Sequence, residues 1–237
     1  MQTIDAEGAL RTKPVLVTGA ASGLGAAVVA AAARAGALPV GLDVREPPDG
    51  SVDHEIVDLA DRVATEKAID AIAGRYDGIG AVVTCAGIDA CGELADVDAD
   101  AWERVIAVNL LGTVAVVRAA LPSLLESRGR IVTVASTLGL RAVPDATAYC
   151  ASKFGVVGFT RALASELAGR VGVTLLVPGG MQTGFFDDRP DKYKPPAGMV
   201  MNSPALVAGA VVFALQQPFG CEMREMVVCP SGETSWP

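Results

Sequence analysis

The chain has 237 residues, of which 51% are hydrophobic and 19% charged, and its formal net charge is −8 with a sequence pI near 4.7. A globular chain of this length can bury one sizeable core, whereas the acidic balance argues against a nucleic-acid-binding protein, which needs a basic face. No stretch approaches the roughly 20 apolar residues of a membrane helix, the N-terminus lacks the regions of a signal peptide, and five cysteines without CxxC spacing indicate reduced thiols in the cytoplasm.

Short runs rich in β-branched residues alternate with longer helical patterns along the chain. The runs predict seven buried strands at 15–17, 39–42, 55–57, 81–84, 130–135, 173–177 and 226–229. The helical patterns cover 25–35, 61–75, 100–125, 151–168 and 204–216. In the last of these, Ser203 followed by Pro204 indicates an N-cap and a first-turn proline. The alternation predicts a single α/β domain over residues 1–237, with a seven-stranded, mostly parallel sheet and helices on both faces.

The least regular segment is 181–202, which is rich in proline, glycine and charged residues. A loop of this length inside a compact domain is usually functional. We therefore expect it to be a lid over a substrate.

The first predicted strand runs directly into the sequence TGAASGLG, residues 18–25. Glycines at 19, 23 and 25 let the backbone turn sharply and approach a pyrophosphate, and the helix that follows offers unpaired N–H groups and a partial positive charge. Asp43 ends the second strand, 18 residues beyond Gly25, where a carboxylate can bond both hydroxyls of an adenosine ribose. A carboxylate there also repels a 2′-phosphate, which predicts NAD rather than NADP, although Arg45 would weaken that preference.

Tyr149 and Lys153 lie four residues apart in a helix-like run, so they share one face of a helix. A phenol has a pKa of about 10, and a base that is useful near neutrality needs a pKa about three units lower. A nearby ammonium group, together with the positive charge of an oxidised nicotinamide, is a source of that shift. The pair therefore predicts a tyrosine that exchanges protons with substrate.

The TGAASGLG motif, Asn109, Ser136 and the sequence YCASK at 149–153 together resemble the short-chain dehydrogenase/reductase family, in its branch of about 250 residues. The resemblance extends from Pro14 to about Pro230, and Ser136 lies thirteen residues before Tyr149, as that family requires. It implies a doubly wound Rossmann fold and an NAD(P)-dependent oxidoreductase that interconverts a secondary alcohol and a ketone.

The resemblance also implies the role of each catalytic residue. Tyr149 would be the general acid and base, and Lys153 would bond the nicotinamide ribose. Ser136 would hold and polarise the substrate oxygen, and Asn109 would position a water that links Lys153 to solvent.

The cofactor contacts implied by the resemblance follow the ends of the predicted strands. They are Gly19, Ser22, Gly23, Leu24, Gly25, Asp43, Asp58, Leu59, Cys85, Ala86, Gly87, Tyr149, Lys153, Pro178, Gly179 and Thr183. Cys85 departs from the family's asparagine, which braces the sheet, so we expect altered local bonding and a buried, inert thiol. No set of residues has the spacing of a metal site, and none is predicted.

Three segments, 88–94, 137–148 and 181–202, are expected to enclose the substrate. Their side chains predict a mainly apolar alcohol or ketone: Leu138, Leu140, Val143, Phe185, Phe186, Met199 and Met201. By analogy with the family we expect a homotetramer or homodimer, to which the apolar run 154–159 would contribute.

Three alternatives stay open: an NADPH-dependent 3-oxoacyl-(carrier protein) reductase, a sugar-nucleotide epimerase or dehydratase, and a catalytically silent nucleotide-binding regulator. An epimerase would need about 100 further residues for its substrate domain.

Overall fold

The computed structural model describes residues 13–47 and 52–235. In these residues the strands are β1 (Val15–Thr18), β2 (Pro39–Asp43), β3 (His54–Ile56), β4 (Ala81–Thr84), β5 (Arg130–Val134), β6 (Gly172–Pro178) and β7 (Glu225–Val228). The α-helices are α1 (Gly23–Arg34), α2 (Arg62–Arg75), α3 (Ala99–Ile106), α4 (Thr113–Ser127), α5 (Thr147–Glu166) and α6 (Pro204–Leu215). Short 3₁₀ turns lie at Thr137–Gly139, Gly184–Phe186 and Asp191–Tyr193, and a π-helical turn, Ala107–Gly112, joins α3 to α4.

All seven strands form one parallel sheet in the order β3-β2-β1-β4-β5-β6-β7. The strand order reverses at β1, where Val15 is in register with Pro39 of β2 on one side and with Ala81 of β4 on the other. In open α/β sheets, ligands bind outside the carboxyl ends of the strands at such a switch point. The carboxyl ends of β1 and β4 therefore mark the candidate site.

The two faces of the sheet carry separate apolar cores. Val15 and Val17 of β1 point to one face and pack with helices α1 and α6, which bury Val28 and Val211 there. Leu16, between them in sequence, points to the other face and packs with α2 and α4. Successive side chains of a strand alternate between faces, and helices cover both, so the strands are apolar throughout.

The predicted elements are confirmed, with differences at their ends. Each strand lies within one residue of its predicted bounds, and the Ser203 hydroxyl caps α6 by accepting a hydrogen bond from the Ala205 amide at 3.3 Å. Helix α5 begins at Thr147, four residues earlier than predicted. Tyr149 therefore lies inside the helix that carries Lys153.

The helical stretch Ala99–Ser127 is longer and more apolar than the sequence reading allowed. By length and composition it could cross a membrane, but half of its most apolar window is buried inside the protein. Val116 and Leu124 have no exposed surface and pack against the sheet. A buried core helix explains this composition.

Candidate active site

The turn after β1 requires glycine at two positions. Gly19 has φ +69° and Gly23 has φ +54°, in the left-handed region that L side chains rarely adopt. A Cβ on Gly19 would also lie 2.9 Å from the backbone of Ala86, just after β4. The turn and the end of β4 are thus in direct backbone contact, and a larger residue at 19 would separate them.

The first turn of α1 has no side-chain cap. Ser22 occupies the N-cap position but makes no capping hydrogen bond, and the first turn holds no acidic residue. By contrast, Asp61, Asp98 and Ser203 cap α2, α3 and α6 through their side chains. An uncapped helix N-terminus at a glycine-rich turn suits an anionic group such as a pyrophosphate.

Asp43 lies at the carboxyl end of β2, beside this turn. Its Oδ2 accepts a hydrogen bond from the Ala21 amide at 2.9 Å, and its Oδ1 accepts one from the Arg45 amide at 3.1 Å. The Arg45 guanidinium reaches back and donates to the Ser22 hydroxyl at 3.2 Å. Each carboxylate oxygen keeps a lone pair, so the group can also accept from a ribose.

Thr18 joins the ends of β1 and β4. Its hydroxyl accepts a hydrogen bond from the Ala86 amide at 3.0 Å, which ties the residue after Cys85 to β1. Burial raises the pKa of the Cys85 thiol to about 12. The thiol is therefore protonated near neutrality and a poor nucleophile.

Tyr149 and Lys153 lie on one face of α5. The Lys153 ammonium is 5.6 Å from the centre of the Tyr149 ring and donates a hydrogen bond to the carbonyl of Val134, at the end of β5, at 2.9 Å. Lys153 is only 4% exposed, and burial lowers its pKa to about 8. A buried amine that titrates near neutral pH is typical of a functional site.

The pKa of Tyr149 does not shift as the sequence reading expected. Burial raises it to about 12, and the neighbouring Ser136 hydroxyl offsets only part of that rise. The charge of Asp89 raises it further, and that of Arg189 lowers it. The protein groups therefore keep Tyr149 in its phenol form, because desolvation disfavours the phenolate more than its neighbours stabilise it.

Ser136 and Asn109 border the same region. Ser136 follows β5, is 9% exposed, and accepts a hydrogen bond from the Leu138 amide at 3.1 Å. Asn109 is fully buried in the π-helical turn, a distortion that is frequent at functional sites. Its side chain bonds both backbone groups of Ile88, at 2.8 and 2.9 Å, and donates to Ser152 at 3.0 Å. The water relay through Asn109 stays a prediction.

Gly87 lies between Asn109 and Lys153. A Cβ on Gly87 would be 3.5 Å from the Lys153 ammonium nitrogen and 3.6 Å from the Asn109 amide oxygen. Both polar side chains therefore border the backbone that follows β4. The fold thus brings together the four predicted catalytic residues, Asn109, Ser136, Tyr149 and Lys153. The first and the last of them are 44 positions apart in the sequence.

The other predicted cofactor contacts lie at the strand ends. Asp58 accepts from the Ala60 amide at 3.0 Å and pairs with Arg104 at 2.9 Å, while Leu59 is buried. Pro178 ends β6 and the Gly179 amide bonds the Val228 carbonyl at 3.0 Å. The Thr183 side chain lies 3.5 Å from where a Cβ on Gly23 would be, so the predicted lid touches the glycine-rich turn. The contacts of Ser22, Leu24 and the rest with a cofactor stay predictions.

Sequence reasoning missed three charged residues at this site: Asp89, Arg189 and Glu233. Glu233 accepts a hydrogen bond from the Gly180 amide at 2.8 Å and another from the Ser235 hydroxyl at 2.8 Å. Although burial opposes ionisation, the amides of Gly180 and Ser235 hold the pKa of Glu233 below its usual value. The tail after β7 therefore holds the loop after β6, and no pattern in the sequence indicated it.

The lowered pKa of Lys153 predicts a pH-dependent difference between the wild type and Lys153→Met. Between pH 8 and pH 10.5 the unfolded amine is protonated while the folded one is not, so wild-type stability rises with pH in that window. Relative to Lys153→Met, the wild type should gain at most about 3 kcal/mol between pH 7 and pH 10. Thermal unfolding of both proteins measures this, since all other titrating groups are shared.

The control for that comparison is the matched variant Lys67→Met, because Lys67 is an exposed lysine on α2, away from the site. Its melting temperature should keep a constant difference from that of the wild type over the same pH range. A constant difference for Lys153→Met as well would show that Lys153 stays charged in the folded protein.

The family model described as short chain dehydrogenase matches residues 13–194. The chain belongs to the short-chain dehydrogenase family. It is an NAD(P)-dependent oxidoreductase acting on CH–OH groups, as the sequence resemblance implied.

Relatives and solved structures agree with this assignment. The chain is 34% identical over 196 residues to the 3-oxoacyl-(acyl-carrier-protein) reductase FabG of Thermotoga maritima, covering 77% of this chain and 80% of that one. It is 32% identical over 96% of its length to glycine betaine reductase ATRR of Emericella nidulans, but spans only 19% of that protein. The ligand-free aldohexose dehydrogenase of Thermoplasma acidophilum superposes with a TM-score of 0.82 at 26% identity, covering 92% of this chain and 93% of that chain. The predicted fold is confirmed.

Proposed function

We propose that this protein is an NAD-dependent oxidoreductase that interconverts a secondary alcohol and a ketone, with Tyr149 as general acid and base. The observation that carries the proposal is the buried ammonium of Lys153, 5.6 Å from the Tyr149 ring. Ser136 faces the same phenol, and the glycine-rich turn lies in contact with the end of β4. A lone Tyr–Lys pair on a helix surface would have neither the burial nor these neighbours.

The residues present fit a dinucleotide. The uncapped N-terminus of α1 suits the pyrophosphate, and Asp43 suits the hydroxyls of the adenosine ribose. When bound, the nicotinamide supplies the hydride acceptor for an alcohol or the hydride donor for a ketone. Glu233 accepts a hydrogen bond from the Gly180 amide and so holds the loop after β6. The resemblance to the family implies that this loop passes the nicotinamide.

Side chains of the protein transfer the proton to and from the substrate oxygen. Ser136 donates a hydrogen bond to the substrate oxygen and holds it beside Tyr149. In ketone reduction Tyr149 gives its phenolic proton to that oxygen, and in alcohol oxidation the phenolate takes the proton back. The resting phenol, with its pKa raised to about 12, is the form that reduction needs. Oxidation needs the phenolate, so it should speed up as the pH rises.

Lys153 supports the second half of that cycle. Its positive charge stabilises the phenolate left after proton donation, because opposite charges nearby favour the ionised form. With a pKa of about 8, Lys153 can itself lose and regain a proton near neutral pH. It is therefore suited to resupply Tyr149 with protons, and the Asn109 side chain beside it at Gly87 would position the water that links Lys153 to solvent.

We further propose NAD as the preferred cofactor and a mainly apolar body for the substrate. The Asp43 carboxylate would repel a 2′-phosphate, while Arg45 lies close enough to Ser22 to accept one in part. Phe185 of the segment 181–202 lies 5.5 Å from the Tyr149 ring and Phe186 lies 5.4 Å from Phe185. These rings support an apolar contact beside the reacting carbon.

We also propose that the protein assembles through α5 and is located in the cytoplasm. Phe154 on α5 is 44% exposed, which supports the expected homotetramer or homodimer through this helix. The composition supports the cytoplasm and gives no reason to expect nucleic acid or membrane as partners.

The second candidate is an NADPH-dependent 3-oxoacyl-(carrier protein) reductase, which the similarity to the Thermotoga maritima enzyme favours. Asp43 and the net charge of −8 count against it, because NADPH and an acidic carrier protein both call for basic groups. A silent regulator is disfavoured by the complete catalytic set.

The experiment is a turnover assay at the absorbance band of the reduced nicotinamide. The protein is mixed with NADH or NADPH and with simple ketones or acetoacetyl-CoA, and then with NAD⁺ and secondary alcohols. We expect turnover of simple ketones with NADH favoured over NADPH. Turnover of acetoacetyl-CoA alone, with NADPH favoured, would select the reductase alternative, and NADH binding without any turnover would select the regulator.

A further inference from the structure

Arg189 and Asp89 form a sheltered ion pair at the active site. Arg189 belongs to the segment 181–202 and Asp89 follows β4, and their charged groups lie 2.5 Å apart. The side chain of Asp89 is 6% exposed and that of Arg189 is 18% exposed. The other ion pairs in the described part of the chain involve at least one partner that is 27% exposed or more. This pair is therefore unlike the surface pairs and joins the predicted lid to the floor of the site.

The pair borders the aromatic ring that contacts the reacting tyrosine. The guanidinium carbon of Arg189 is 4.9 Å from the centre of the Phe185 ring and 4.6 Å from that of Phe186. Phe185 in turn contacts Tyr149. The charges of Asp89 and Arg189 act on Tyr149 in opposite directions, so a substrate beside Tyr149 meets a polar pair with no net charge.

The hydrogen bonds of Arg189 leave part of its donor capacity unused. Its Nη2 binds Asp89, and its Nη1 makes only a long contact of 3.5 Å with the Tyr193 carbonyl. Its Nε is buried and has no hydrogen-bond partner among the residues that the structure describes. A buried donor without an acceptor is unfavourable and uncommon in folded proteins. An acceptor beside Asp89 would satisfy it.

Asp89 is well placed to recognise a donor at the same point. Its Oδ1 accepts from the Ala90 amide at 2.8 Å, and its Oδ2 accepts from the Cys91 thiol at 3.0 Å as well as from Arg189. An ionised carboxylate has about four acceptor positions, so at least one stays open. A ligand group that donates a hydrogen bond to Asp89 would therefore lie beside a ligand group that accepts one from Arg189 Nε.

We propose that Asp89 and Arg189 bind a second hydroxyl group of the substrate, so that the substrate is a diol or a hydroxyketone. This rests on the proposed function and names its substrate class. A hydroxyl accepts from Arg189 and donates to Asp89 at once, whereas a carbonyl can only accept. A carboxylate would be repelled by Asp89, and an apolar group would leave the Arg189 donor unpaired. The aromatic rings of Phe185 and Phe186 then contact the carbon skeleton that carries the two oxygens.

The test compares two ketones with the same carbon skeleton, acetoin and 2-butanone, in NADH-dependent reduction. The wild type should reduce acetoin with a kcat/KM about tenfold or more above that of 2-butanone, the gain of one hydrogen bond to a charged group. In Arg189→Met that ratio should fall several-fold, mainly through a higher KM for acetoin. Acetoin is intrinsically more reactive than 2-butanone, and this difference affects both proteins equally. The acetoin to 2-butanone ratio in Arg189→Met therefore serves as the baseline for the wild-type ratio.

Arg189→Lys and Asp89→Asn keep the test valid if Arg189→Met unfolds, and thermal unfolding reports on each. Arg189→Lys keeps the charge but not the guanidinium edge, so it should lower the ratio too. Acetoacetate, a carboxylate of similar size, should be a poorer substrate than acetoin for the wild type.

Two results would overturn the inference while leaving the proposed function intact: an equal acetoin to 2-butanone ratio in wild type and variants, or a preference for acetoacetate. The first would make the pair a purely structural link, and the second would make it an anion site. Failure to reduce any ketone, with NADH bound, would instead remove the proposed function and the inference together.

Discussion

Replacing Tyr149 by phenylalanine is expected to lower kcat for ketone reduction by about 10²–10⁴-fold, the usual contribution of a general acid. Phenylalanine keeps the ring that contacts Phe185 at 5.5 Å and removes only the hydroxyl that faces Ser136. The fold and the affinity for NADH should therefore be preserved. Steady-state turnover and NADH binding by tryptophan fluorescence measure the two effects separately.

Tyr76→Phe is the matched control for this substitution. The Tyr76 hydroxyl donates to Asp53 at 2.6 Å, beyond the carboxyl end of α2 and away from the site. Its loss should leave kcat unchanged. Wild-type turnover by Tyr149→Phe would remove the proton-transfer role and favour the regulator.

Replacing Asp43 by asparagine is expected to lower the preference for NADH over NADPH by about 10- to 100-fold in kcat/KM. The substitution removes the charge that repels a 2′-phosphate and weakens the hydrogen bonds to the ribose, each worth about 1.5–3 kcal/mol when one partner is charged. Asparagine is close in shape to aspartate and can still accept from the Ala21 amide. The measurement is kcat/KM for each cofactor at saturating ketone.

We expect Arg45 to determine how much of the change in cofactor preference comes from a higher kcat/KM with NADPH. Its guanidinium reaches Ser22 at 3.2 Å, so in Asp43→Asn it is free to bind a 2′-phosphate. The double variant Asp43→Asn/Arg45→Ala should lose the NADPH gain and keep the NADH loss. An unchanged cofactor ratio in Asp43→Asn would contradict the role given to this carboxylate.

Local sequence patterns were sufficient for most of the fold. The strands are short runs buried on both faces, such as Val15–Thr18, and each ends where a helix pattern begins. Local patterns did not predict the features of the helices that depend on tertiary contacts. Asn109 lies in a π-helical turn whose Gly112 packs against Leu59, with room for no Cβ, and the early start of α5 at Thr147 follows no cap that a sequence displays.

The catalytic residues could be proposed from the sequence because their spacing is local or lies at strand ends. Asp89 and Arg189 could not, since they are 100 residues apart and meet only because the segment 181–202 contacts the loop after β4. The pKa of Tyr149 could not be anticipated either, because burial and the opposing charges of Asp89 and Arg189 set it. The expected lowering of this pKa therefore depends on the charge of a bound oxidised nicotinamide.

The most direct test of hydride transfer beside Tyr149 is to follow the hydride into the product. The protein is incubated with acetoin or 2-butanone and NADH that carries deuterium at C4 of the nicotinamide, on one face and then on the other, and the alcohol product is analysed by mass spectrometry. We expect one deuterium at the carbinol carbon from one of the two labelled cofactors, and at least a hundredfold less product from Tyr149→Phe. Alcohol formed without deuterium from either cofactor, or formed equally by the variant, would contradict hydride transfer beside Tyr149.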